Sequence, residues 1–403
     1  MKRNLMDEID SGTKSSLIKK RIINHYINHG NSTITDLSRA VDLSVPTVTK
    51  FIVEMCRSGY INDYGKLETN GGRHPNLYGL NPDSAYFVGV DLQAEAVVLG
   101  LMDFKGDMIK VKPIAPFMLR NDDECIDNIC RYVLDFIREA GVPEEKIINI
   151  NINIPSRVNP KTGHSFGFFN YIEKPLYTMF AERLGFHVSI DNDTRAMAYG
   201  EYMKGCVEKE KNIIFVNVSW GLSISIIIDG KIYYGKSGFS GEFGHIPAYD
   251  NEVLCYCGKK GCLETEVSGS ALYRKLIQKV REGETSILSG RILDNEPLTL
   301  HDIIAATNRE DTLCIDLVEN VGRELGRQVS TLINIFNPDL VVVGGTLSQT
   351  GDYLIQPIEA SVRKYSLSLV NKDTRIRRSA LLENAGITGA CMLARTKMFE
   401  IEE

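Results

Sequence analysis

At 403 residues, with 43% hydrophobic and 24% charged side chains, the chain is too long for one ordinary core and reads as two or three globular domains. No run of about eighteen apolar residues occurs, which excludes a membrane-spanning helix, and the opening MKRNLMDEIDSGTKSS lacks the apolar stretch of a secretory signal; the expected compartment is the cytoplasm. The net charge of −6 is uneven, with 11 Lys and Arg against 8 Asp and Glu in the first eighty residues and 35 against 44 in the rest, as expected where only an N-terminal module meets a polyanion.

In that module, SSLIKKRIINHYINHG places Leu17, Ile18, Ile22, Ile23, Tyr26 and Ile27 on one helical face. TITDLSRAVDL follows as a short helix capped by Thr33 or Thr35. SVPTVTKFIVEMCRSGY predicts a third helix, with Ser44 as N-cap and Pro46 in the first turn, where its missing N–H costs nothing. Val45, Val48, Ile52 and Met55 are expected to face inward, leaving Pro46, Thr47, Thr49 and Lys50 outward near the helix start. Helix, short helix, tight turn, helix is the spacing of a helix-turn-helix. GYINDYGKLETNGGRHPNLYGLN then reads as a β-hairpin wing, with Arg73 and His74 where it would meet a phosphate backbone. Short polar groups and a lysine on the third helix suit base edges. A three-helix protein–protein module would carry the same pattern, and steep salt dependence of binding separates the two.

From Tyr86 the pattern changes. YFVGVDLQAEAVVLGLMD reads as two strands, DECIDNICRYVLDFIREAGV as an amphipathic helix, and IINININIP and HVSIDND as strands. KNIIFVNVSWGLSISIIIDGKIYYG repeats the strand–turn–strand opening with Asp229–Gly230 as a turn, and DLVVVGGTL is a late buried strand. The repeat predicts two similar α/β lobes with a ligand cleft between them. Expected domains are 1–80, a winged helix-turn-helix; 83–193 with about 382–403, a first lobe; and 194–381, a second lobe.

Six of the nine cysteines (Cys56, Cys125, Cys130, Cys206, Cys314, Cys391) are scattered and read as small buried hydrophobes. Cys255, Cys257 and Cys262 cluster after His245 in GEFGHIPAYDNEVLCYCGKKGCLETE. One imidazole and three thiolates suit tetrahedral Zn²⁺; four protein ligands close the shell, so the metal would be structural. Lys259 and Lys260 would soften the net charge of −1. Free cysteines in a loop are the alternative.

With IDNDTRAMAYGE, GKSGFSGEFGHI, CYCGKKGCLE, NPDLVVVGGTLS and the GRHP of the wing, the chain resembles the ROK family (repressor, open reading frame, kinase) of sugar kinases and sugar-responsive repressors. The resemblance implies an α/β fold with a winged helix-turn-helix followed by a two-lobed actin-like (ribonuclease H-like) body. It also implies a structural zinc on His245, Cys255, Cys257 and Cys262. Asn192, Asp193, Glu242, His245 and Glu264 match the family's sugar-contacting positions, and Arg157 and Asn170 its closing loop. Asp193 matches the catalytic base of the kinases.

Phosphoryl transfer needs glycine-lined phosphate loops. The kinases' Asp–x–Gly–Gly–Thr loop here is Asp91-Leu92-Gln93-Ala94-Glu95, and their second glycine-rich loop is Ser219-Trp220-Gly221-Leu222-Ser223-Ile224-Ser225. Glu95 would repel a triphosphate, and the only tryptophan of the chain stands where a phosphate would lie. Gly344-Gly345 reads as a strand-to-helix turn. The expected function is that of a sugar-responsive regulator, a repressor without kinase activity, binding operator DNA as a homodimer or higher oligomer; an ATP-dependent sugar kinase with an added DNA-binding module is the alternative.

Overall fold

The computed structural model describes residues 12–66 and 75–400. The chain divides into two compact units, Met1–Ala196 with Ile387–Glu403, and Met197–Gly386.

The first unit opens with α1 (Lys14–His29), β1 (Ser32–Thr33), α2 (Ile34–Ala40) and α3 (Val45–Arg57). Thr13, Thr33 and Ser44 cap the three helices by accepting from backbone N–H groups within the first turn. β2 (Ile61–Lys66) and β3 (Asn76–Leu80) form the hairpin, and β1 pairs with β3 to give the order β1-β3-β2. Ile22, Ile23, Tyr26, Leu37, Val48, Phe51, Ile52 and Met55 make the core of this module. One inward assignment is corrected: Val45 is 45% exposed. Leu17, placed with the apolar face of its helix, is 49% exposed; each stands in the first turn of its helix, beyond the reach of the small core. Arg73 and His74 lie outside the described residues.

The first sheet follows: β4 (Tyr86–Leu92), β5 (Val97–Asp103), β6 (Met108–Ile114), α4 (Asp123–Ala140), β7 (Ile147–Ile154), the short β8 (Val158–Asn159) and β9 (His164–Ser165), α5 (Leu176–Leu184), β10 (Val188–Asn192) and α6 (Asp193–Lys204). Its strand order is β10-β7-β4-β5-β6, with β7 parallel to β4 and to β10 and the rest antiparallel. α6 begins in this unit and ends in the next.

The second unit contains β11 (Ile213–Val218), β12 (Leu222–Ile228), β13 (Lys231–Ile232), α7 (Glu264–Val267), α8 (Gly269–Arg281), α9 (Ser289–Leu293), α10 (Leu300–Asn308), α11 (Thr312–Phe336), β14 (Leu340–Gly344), α12 (Asp352–Tyr365), α13 (Ser368–Asp373) and β15 (Arg375–Arg378). Its sheet runs β13-β12-β11-β14-β15, with β14 parallel to β11 and to β15. Both sheets therefore consist of an antiparallel three-strand meander extended by two parallel strands. The predicted internal repeat is present at the level of topology.

α14 (Ala385–Phe399) carries the chain back and completes the first unit. Phe399 packs with Phe87 and Phe104, ring centroids 6.3 and 5.6 Å away. The fully buried Arg395 donates to the carbonyls of Phe104 (3.3 Å) and Lys105 (2.7 Å). α14 crosses α6 at Gly389, where a Cβ would stand 1.8 Å from the carbonyl oxygen of Ala196. Backbone touches backbone there, so no rotamer change relieves the clash. Gly389→Ala should destabilise the chain by roughly 1–3 kcal/mol or more, read as a lower urea midpoint with an unchanged slope.

Candidate functional site

A knuckle in the second unit gathers four candidate metal ligands. Cys255 N–H donates to the Lys259 carbonyl (2.8 Å) and Gly258 N–H to the Cys255 carbonyl (2.9 Å). Gly258 and Gly261 take left-handed φ values of 86° and 74°, which suit residues without a side chain. The turn brings His245, Cys255, Cys257 and Cys262 together, with one ligand atom from each within 4.8 Å of all the others. Cys257 Sγ is 3.6 Å from Cys262 Sγ, and Cys255 Sγ is 3.6 Å from His245 Nδ1. Zn–S bonds of about 2.3 Å and Zn–N bonds of about 2.0–2.1 Å in a tetrahedron require ligand separations of about 3.6–3.8 Å, so the donor set fits the ion in type and spacing. Burial pushes the Cys255 thiol up to about 12. Lys260 pairs with Glu252, which directs its charge to a neighbouring carboxylate.

His245 has two faces. Nδ1 points to the thiols, and Nε2 lies 3.2 Å from the Tyr256 hydroxyl and 3.7 Å from Glu242 Oε2. Glu242 is exposed. Glu264 is 5% exposed; its Oε2 accepts from Leu222 N–H (2.9 Å) and its Oε1 is 3.8 Å from Cys255 Sγ. Burial raises its pKa. Glu264 thus joins the metal knuckle to the start of β12, a role its place in the sequence did not reveal.

In the first unit, Asn192 ends β10 and caps α6. Its Oδ1 accepts from Arg195 N–H (3.0 Å), while its amide donates to the Ser156 carbonyl (3.0 Å) and to Asp193 Oδ1 (2.6 Å). Burial, reinforced by the charge of Asp91, raises Asp193 to about 6. Asp91 is itself raised by burial, although Asn153 and Gln93 both donate to it at 2.9 Å. Behind this pair lies a fully buried carboxylate, Asp191, held by Arg195 Nε at 2.6 Å and Lys397 Nζ at 2.8 Å. Burial opposes its ionisation, but the two cations prevail and hold it at about 2. Arg157 and Asn170 are both exposed in the loops after β7 and β9. Asn170 Oδ1 accepts from Asn121 (2.9 Å), which also takes the N–H of Phe169.

Sequence reasoning missed Arg195, Lys397 and Asn153 as supports of this cluster. One signal was available: INININI on β7 sets Asn149, Asn151 and Asn153 on one face, and all three are fully buried. Three buried amides on a central strand require partners. They find them in Ser189, Lys397 and Asp91, among others.

The segment 219–225 leads into β12. Ser219 Oγ donates to Asn217 Oδ1 (2.7 Å) and accepts from Thr346 N–H (3.0 Å), tying the end of β11 to the turn after β14. Trp220 is 55% exposed, with its ring 5.6 Å from that of Tyr273.

Two family models match. One, described as the ROK family, covers residues 87–397. The chain belongs to the ROK family. The other, a winged helix-turn-helix DNA-binding model, covers residues 16–62. A relative named xylose repressor, from Caldicellulosiruptor bescii, is 28% identical over 376 residues, 92% of this chain and 93% of its own. A crystal structure of a ROK family transcriptional regulator, described as a homologue of the Escherichia coli Mlc protein, superposes with a TM-score of 0.80 at 26% identity. It covers 95% of this chain and 96% of that one. A ROK glucokinase from Streptomyces griseus, in complex with glucose and AMPPNP, gives a TM-score of 0.67 at 26% identity over 77% of this chain and 100% of its own. The ROK body is thus shared with kinases, and the N-terminal module accompanies it in the regulator. Among the described residues no helix is long and apolar enough to cross a membrane.

Proposed function

We propose that the chain is a sugar-responsive transcriptional repressor. The observation that carries this reading is the union, in one chain, of a winged helix-turn-helix with a ROK body, matched over 92% of its length by a relative named as a repressor. α3 enters the major groove of operator DNA through Pro46, Thr47, Thr49 and Lys50, with Arg73 and His74 on the backbone. The protein acts as a homodimer, since a two-fold protein matches a palindromic site.

The effector is a carbohydrate. Asn192, Asp193, Glu242, His245 and Glu264 supply its contacts, with Arg157 and Asn170 as further ones. Carboxylates accept from sugar hydroxyls, and amides and imidazole both donate and accept. His245, Cys255, Cys257 and Cys262 would hold Zn²⁺, which would supply rigidity to the turn, and His245 Nε2 lies beside Glu242 and Tyr256. Sugar occupancy changes operator affinity through a coupling of about 1–3 kcal/mol, a 5–150-fold effect.

The body does not phosphorylate its sugar. Residues 91–95 carry two carboxylates, Asp91 and Glu95, and no glycine, and residues 219–225 carry one glycine beside an exposed tryptophan. Backbone N–H groups cannot close around phosphate oxygens in such loops.

A thermal-shift panel of pentoses, hexoses and N-acetylated hexoses, each with and without Mg-ATP, tests the reading. A sugar should raise the midpoint, and ATP should add nothing and yield no ADP. ATP-dependent stabilisation, or ADP release in the presence of sugar, would establish the kinase instead. Operator binding should weaken by about 10³–10⁵ between 50 and 200 mM salt if six to ten phosphates are contacted; salt-insensitive binding would mark α1–α3 as a protein-docking module.

A further inference from the structure

The tip of α3 is apolar where a DNA-reading helix is usually polar. Val45 is its first residue and stands 45% exposed, whereas Val48, Phe51, Ile52 and Met55 are all buried. Pro46 beside it is exposed as well. The hydroxyls closest to the tip are already engaged: Thr47 Oγ1 lies 2.8 Å from Ser44 Oγ, and Thr49 Oγ1 donates to the Val45 carbonyl at 2.8 Å. Lys50 is exposed one turn further along. What the first turn offers to a groove is an isopropyl group and a pyrrolidine ring.

Base edges meet the N-terminal residues of a recognition helix. An isopropyl group makes no hydrogen bond, and the apolar feature of the major groove is the C5 methyl of thymine. We propose that Val45 is a specificity-determining residue that packs its side chain on a thymine methyl of each operator half-site, with Lys50 supplying the neighbouring polar contact. The inference rests on the DNA-binding reading above and adds a base preference to it.

The test starts with full-length protein and a random-sequence duplex library, from which the preferred half-site is selected. Each thymidine of that site is then replaced by deoxyuridine, which removes only the methyl group. One position should lose about fourfold in affinity per methyl, the worth of one buried carbon. Val45→Ser should bind the thymidine duplex as weakly as the natural protein binds the deoxyuridine duplex, with no further loss on deoxyuridine. Val45→Thr, which keeps one methyl, should fall between. The unfolding midpoint and salt slope should match those of the natural protein in both variants, since an exposed side chain far from phosphates is being changed. A selected site at which no deoxyuridine substitution distinguishes the natural protein from Val45→Ser overturns the inference and leaves the DNA-binding reading standing. Failure to select any sequence removes both.

Discussion

Elemental analysis should find one equivalent of zinc per chain in the natural protein and none in Cys262→Ser. The thermal midpoint of the variant should fall by about 10 °C, the shift expected when several kcal/mol are lost from a unit of this size. Cys262 and Cys255 are 1% and 3% exposed, and Glu264 beside them is 5% exposed. Without an ion, buried polar groups lose the charge that organises them, and the turn through Gly258 and Gly261 has little apolar packing of its own. Structural zinc contributes about 10–16 kcal/mol in small zinc domains, so even a fraction of that is a large share of ordinary stability. A chelator should reproduce the effect on the natural protein and leave Cys262→Ser unmoved. A metal-free preparation with an unchanged midpoint would refute the zinc assignment.

Asp193→Asn should separate sensing from DNA binding. A hydrogen bond to a charged group contributes about 1.5–3 kcal/mol, so sugar affinity should drop roughly tenfold to 150-fold. Operator affinity without sugar should be unchanged, giving a repressor that no longer responds. The pH dependence carries a sign. Burial raises Asp193 from its ordinary 3.8 to about 6. Between these values the folded state binds more protons than the unfolded one, so this group's contribution to stability is complete below about pH 4 and is lost as pH rises through about 6. Asparagine removes that loss, and Asp193→Asn should melt higher than the natural protein at neutral pH. Sugar affinity runs the other way: the ionised carboxylate is the better acceptor, so affinity should fall as pH drops below about 6. A variant that binds sugar as tightly as the natural protein would remove Asp193 from the site.

Much of this was legible in the sequence because local chemistry governed it. Ser44 and Thr33 cap helices for reasons contained in a few residues, and the spacing of His245, Cys255, Cys257 and Cys262 already groups four candidate metal ligands. The duplicated meander was visible because β-branched runs recur around short turns such as Asp229–Gly230. What escaped depends on tertiary neighbours. Val45 has the composition of a core residue and becomes a surface one only because the small core ends at Val48. Glu264 resembles a free acid until the Leu222 N–H is found against it. Asp191 has an acidic neighbour at Asp193, yet Lys397, more than 200 residues away in sequence, helps to keep it ionised.

The position of α14 sets an order of biosynthesis. Phe399, Arg395 and Lys397 complete the interior of the first unit, but they are translated after the whole of the second. The DNA-reading module leaves the ribosome early, joined to a sheet whose last partner is not yet made. Domains of a nascent chain usually fold from the N-terminal end. Here the first sheet stays open on one side until translation reaches α14: loss of Phe399 uncovers Phe87 and Phe104, and a truncation before Lys397 also takes from Asp191 one of its two cations.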